Sequence, residues 1–219
     1  MPSQLVHLAV AVKMNESGGA GPAPSFVLGS IAPDAIHKRP GTNREDKTRT
    51  HLYINQPGAD ASGIIRSFLQ PYFASTEVAE DKRQLVLGYA AHLLTDYYWL
   101  QSLNAQYVEA VAPHMSKEEI RTLYYRETDK NEFRLYREAS WRPAIWELLR
   151  SAKVQEVEPY LTAEEIDLWR ERVLTWPEVN EETECVPEYF TADKIELFID
   201  ETSVKVEREL SPYWQASKN

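Results

Sequence analysis

The stretch Leu85-Val86-Leu87-Gly88-Tyr89-Ala90-Ala91-His92-Leu93-Leu94-Thr95-Asp96 decides the fold class of this 219-residue chain. Its first ten residues are apolar on nearly every side at helical spacing, and a helix apolar all round belongs at the centre of a fold. Glu80, Asp81, Lys82 and Arg83 form a charged start, and the helix is expected over about Val78 to Leu103. Within it, His92 and Asp96 stand four residues apart, on one face and about one turn from each other. An ionised carboxylate on such a face costs on the order of tens of kcal/mol by idealised transfer unless it is paired or metal-bound. Asp96 therefore requires a partner, either a core pair with His92 or an arginine, or a cation.

The neighbouring segments also read as helix. Ser3 can cap a first helix of roughly Gln4 to Asn15, with Leu5, Leu8, Ala9 and Val12 as its buried stripe and His7 off the centre of that stripe. The segment from Ser17 to Pro22 punctuates the chain. A short apolar stretch, Phe26 to Ile31, leads into Pro33-Asp34. Residues 37–50 are polar and basic and read as an exposed loop that delivers His51. A second long helix is expected over Ala61 to Phe73, despite Pro71. Ser116 with Glu119 and Thr162 with Glu165 are capping boxes. Between them a helical run from Lys117 to about Arg150 is interrupted near Pro143, and a last helix is expected over Ala192 to Leu210. Glu178 to Pro187 reads as an acidic solvated loop. No strand alternation persists and no internal repeat is present, so the expectation is a single all-α domain over residues 1–219.

Composition narrows the function classes. The hydrophobic fraction of 43% and charged fraction of 26% are those of a globular protein. The net charge of −10 argues against nucleic acid held through its phosphates, but it leaves open a cation-dependent site for a phosphate ester, because a bound ion reverses the local field. A single cysteine, Cys185, excludes a disulfide framework and a thiolate zinc site. The start, Met1-Pro2-Ser3-Gln4, lacks the features of a signal peptide, and no run of about 18 apolar residues occurs, so a cytoplasmic protein without a transmembrane segment is expected.

The chain has five histidines, His7, His37, His51, His92 and His114. Asp34 lies in the short apolar context Gly29-Ser30-Ile31-Ala32-Pro33-Asp34-Ala35, where an acid is unexpected, and His51 ends Lys47-Thr48-Arg49-Thr50-His51. Two aspartates and two histidines make a four-ligand set without cysteine, suited to zinc and also to iron or manganese. Asp129 and Glu132 offer a further acidic ligand or a solvated face. Tyr97, Tyr98 and Trp99 offer a pocket wall or core packing. His37 reads as a loop residue that can reach the site's edge, and His114 as exposed.

Ser3 to His7, then Leu28 to Asp34, then Thr50-His51, then Gly88 to Asp96 occur in an order that resembles the zinc-dependent phospholipase C family, which shares its helical fold with fungal single-strand nucleases. The resemblance covers about the first half of the chain. It implies an all-α fold with the metal site between helices, Asp34, His51, His92 and Asp96 as ligands of one zinc, and His7 as a ligand of another. In secreted members that second zinc also takes the mature N-terminal amine, and Asp96 would bridge the two ions. Those members begin with a tryptophan, whereas this chain begins Met1-Pro2. They also draw a further zinc from two downstream histidines and a glutamate, and here only His114 lies downstream. One or two ions are expected.

Three functional expectations follow. The first is a hydrolase of a small-molecule or lipid phosphate ester that uses metal-activated water, with Asp34 as ligand or general base. The second is a non-catalytic helical protein in which a structural or relic metal site supports binding. The third is oxygen chemistry on the same scaffold with iron bound. No Gly-x-Ser-x-Gly and no adjacent His-Asp pair is present, which removes two competing hydrolase classes.

Overall fold

A computed structural model describes residues 1–16, 21–182 and 184–216. Among them are ten α-helices, one 3-10 segment and no strand. The helices are α1 (Gln4–Glu16), α2 (Pro24–Gly29), α3 (Arg44–Thr50), α4 (Ala61–Ala74), α5 (Glu80–Gln101), α6 (Leu103–Val111), α7 (Lys117–Glu138), α8 (Arg142–Ser151), α9 (Ala163–Val179) and α10 (Ala192–Ala216), with the 3-10 segment Ala32–Lys38 between α2 and α3. Ser17 to Ala20, most of the punctuating segment, lie outside the described residues. No described helix is long and apolar enough to cross a membrane.

Helix α5 is the centre of the fold. Every residue from Leu85 to Asp96 is buried, as an all-round apolar helix requires. Helix α2 crosses it at glycine. A Cβ on Gly29 would lie 2.1 Å from the Leu85 carbonyl oxygen, and one on Gly88 would lie 2.0 Å from that of Phe26. Backbone therefore meets backbone, and α2 sits close enough to place the Ser30 carbonyl against the His92 ring.

Helix α1 packs on α10, α7 and α5, and α9 packs on the 3-10 segment. The capping boxes at Ser116 and Thr162 start α7 and α9 as expected. Two features depart from the sequence reading. Residues 37–50 are not all loop, because Asn43 and Asp46 form a third capping box that starts α3. Helix α1 is not capped by the Ser3 hydroxyl, which lies beside the Glu132 carboxyl. Instead the carboxylate of Glu132, from α7, accepts the Leu5 amide hydrogen at 3.1 and 3.3 Å. A carboxyl oxygen there satisfies an amide that the first turn of a helix leaves without an intrahelical partner.

Candidate metal centre

Four elements bring the acidic and imidazole side chains together. His7 projects from α1, Asp34 from the 3-10 segment, His51 from the C-terminal end of α3, and His92 and Asp96 from α5. All five are buried, none more than 4% exposed. His51 is placed by a sharp end to α3. Leu52 and Tyr53 adopt φ of 51° and 56°, a left-handed conformation costly for side chains of that size, and the Tyr89 hydroxyl holds the Thr50 carbonyl.

Asp96 and Asp34 are the hubs. The Asp96 Oδ2 lies 3.4 Å from His51 Nε2 and 3.7 Å from His92 Nε2, and its Oδ1 lies 3.4 Å from His7 Nε2. Asp34 Oδ1 lies 3.5 Å from His51 Nε2, and its Oδ2 lies 4.0 Å from His92 Nε2. Two sets, His7–His92–Asp96 and Asp34–His51–His92, each gather their ligand atoms within 4.8 Å of one another.

The hydrogen bonding is lopsided in a telling way. His92 Nδ1 meets the Ser30 carbonyl at 2.9 Å and His51 Nδ1 meets the Lys47 carbonyl at 2.9 Å. A backbone carbonyl accepts only from N–H, so each Nδ1 carries a proton, and in the neutral ring each Nε2 then presents a lone pair inward. Among the described residues, those Nε2 atoms, His7 Nε2 and both Asp96 oxygens are buried without a well-formed hydrogen bond, His7 and His51 reaching Asp96 and Asp34 only at 3.4 and 3.5 Å. Buried polar atoms are rarely left so. They belong to the two sets that gather around His92, so these groups could hold a metal ion.

Electrostatics agree with that donor set. Burial pushes His92 down to about 3, which keeps its imidazole neutral and able to ligate. Burial raises Asp96, but the facing imidazoles of His7, His92 and His51 outweigh it and hold the carboxyl at about 2. Burial also raises Asp34, yet Lys47 and then His51 and His92 hold it well below the usual carboxylate range. Lys47 Nζ lies 3.0 Å from Asp34 Oδ1 and 3.0 Å from His37 Nε2, and Gln4 Nε2 donates to Asp34 Oδ2 at 2.8 Å.

Asp34 and Lys47 open onto a cavity of about 260 Å³ between the start of α1, α7 and α9. His37 stands at its edge, half-exposed and 3.8 Å from Asp34. His114 is exposed. Glu132 is buried and lines this cavity rather than a solvated face, and Asp129 lines it half-buried. Trp99 stacks on Phe190 in the core, and neither it nor Tyr97 or Tyr98 lines the cavity. Sequence reasoning missed Lys47 and Gln4 as partners of Asp34. The Asn43-x-x-Asp46 capping box was the available signal for Lys47, because it puts that residue on a helix ending at His51.

Compared with known proteins, the chain matches no family model, no curated protein sequence and no solved structure.

Proposed function

We propose that this protein is a metal-dependent hydrolase of phosphate esters, with zinc as the favoured ion. The observation that carries the reading is the set of buried ligand atoms of His7, His51, His92 and Asp96 without well-formed hydrogen bonds among the described residues, next to a cavity that Asp34 lines. The order of the motifs, which resembles the zinc-dependent phospholipase C family, supports it. The donor set, imidazole with carboxylate and no thiolate, supports zinc and also suits iron or manganese.

Asp34, His51, His92 and Asp96 would hold one ion, and His7 with the second oxygen of Asp96 would hold another or steady the bridge. When bound, the cation supplies Lewis acidity and water that ionises at about pH 7. The protein's own groups supply the rest. Asp34, on the cavity side, either ligates or takes the proton of the attacking water. Lys47 balances Asp34 and presents a positive charge where an ester's phosphate would enter. The backbone carbonyls of Ser30 and Lys47 would hold the two imidazoles in the ligating tautomer.

A closed structural site is the second reading, favoured by the near-complete burial of all five groups. One experiment separates the two. Protein purified without added metal is assayed for metal content, then reloaded with zinc, manganese or iron and offered a phosphomonoester, a phosphodiester and a phospholipid. Metal-dependent hydrolysis of any of these supports the hydrolase. Stoichiometric metal with no hydrolysis leaves the structural site, and no metal at all removes both.

A further inference from the structure

The wall of the cavity that α9 forms is aromatic, and it carries a cation with no acidic partner among the described residues. Trp169, Val173 and Trp176 lie on one face of α9 at helical spacing and all line the cavity. Arg172 stands at the rim with its guanidinium 5.5 Å from the Trp169 ring centroid, and no ion pair to it is present among the described residues. Lys47 faces the same space from the metal side. Two further lining groups have unmet hydrogen bonds. Gln4 Oε1 and the indole nitrogen of Trp169, itself 7% exposed, are buried without a partner among the described residues. On the same cavity, α7 contributes Asp129, half-buried and without an ion pair among the described residues.

A cavity of this kind is built for a ring with an anion at one end. Indole faces take planar rings by stacking, and a guanidinium held over an indole is preorganised for a planar or tetrahedral anion. A purely aliphatic ester would leave the α9 wall uncovered. A bare cation would meet Lys47 and Arg172 at like charge.

We propose that the cavity binds aromatic phosphate esters, the phosphate between Lys47 and Arg172 and the ring against Trp169 and Trp176. This deepens the phosphate-ester reading above and rests on it for the chemistry, but not for the binding. Asp129 then opposes the ligand's charge and limits its affinity.

The test is binding, measured by calorimetry with tryptophan fluorescence as a second readout, on metal-loaded and chelator-treated protein. The probes are phenyl phosphate, methyl phosphate and phenyltrimethylammonium. Phenyl phosphate is expected to bind about tenfold tighter than methyl phosphate, the order of one stacked ring contact, and to change the fluorescence. Trp176→Leu should remove that preference and leave methyl phosphate unaffected. Arg172→Gln, at an exposed position, should weaken both phosphates several-fold. Asp129→Asn should tighten both. Equal affinity for the two phosphates, tighter binding of the ammonium probe, or weaker phosphate binding in Asp129→Asn would overturn the proposal. If phenyl phosphate binds as expected but no ester is hydrolysed, the ligand class stands and the hydrolase falls. If esters are hydrolysed without ring preference, the reverse holds.

Discussion

The imidazoles of His7 and His92 lie face to face, 3.8 Å between centroids and 6° from parallel, and both turn Nε2 atoms without a hydrogen bond toward Asp96. Two stacked rings from different helices cannot both carry charge at that distance without strong repulsion. The arrangement suits neutral rings sharing a cationic guest.

Asp96→Asn is therefore expected to lower metal content and stability together. The amide keeps the size and loses the charge that a divalent ion requires. Loss of an ion that binds only the folded state removes about 2.7 kcal/mol at a hundredfold excess over its dissociation constant, which lowers the melting temperature by about 5 °C or more. Chelator should lower the wild-type midpoint and barely move that of the variant. A wild-type midpoint indifferent to chelator, with no metal in elemental analysis, would sink the metal centre.

Lys47→Met should separate metal affinity from activity. Lys47 competes with the ion for Asp34 and repels it, so its removal is expected to tighten metal binding by about tenfold, a fraction of the Coulomb energy of such a pair. The metal-free variant should melt lower, because Asp34 loses its counter-charge. Turnover should fall, because the entering phosphate loses a cation. Competitive metal titration with a chromophoric chelator reads the first effect, and weaker metal binding would contradict the argument.

Gly88→Ala tests the helix crossing. The added methyl meets the Phe26 carbonyl oxygen, a backbone atom that cannot turn aside. A loss of about 3 kcal/mol or more is expected in chemical denaturation, at the upper end for overpacking. Because the crossing also sets the Ser30–His92 bond, metal affinity should fall with it. A stability change below about 1 kcal/mol would mean the helices do not meet as described.

Glu132 predicts a pH dependence. Burial raises its pKa from about 4.5 to about 7, so between those values the folded state binds more protons than the unfolded one. Its contribution is complete below pH 4.5 and is lost as pH rises through about 7. Glu132→Gln keeps an oxygen for the Leu5 amide and cannot ionise. Its melting temperature should gain on wild type as pH rises from 5 to 8. Parallel profiles for the two proteins would show that Glu132 does not titrate in this range.

What could be read from the sequence was local. The capping boxes at Ser116 and Thr162 place their own helix starts because donor and acceptor lie within one turn. The apolar run before Asp96 identifies a buried helix, because no orientation of it spares water an apolar face. Helical spacing alone puts His92 and Asp96 on one side. Tertiary structure decided what depends on distant partners. It set which of five histidines converge, and it capped α1 with Glu132 from 127 residues away rather than with the adjacent Ser3. It sent Trp99 into the core, while Trp169 and Trp176 line the cavity. It turned Lys47 inward from a stretch whose composition reads as solvated loop. Periodicity reports the face a side chain occupies on its own helix, but burial against other helices depends on their crossing, which here rests on two glycines 59 residues apart whose missing side chains leave no pattern in the sequence.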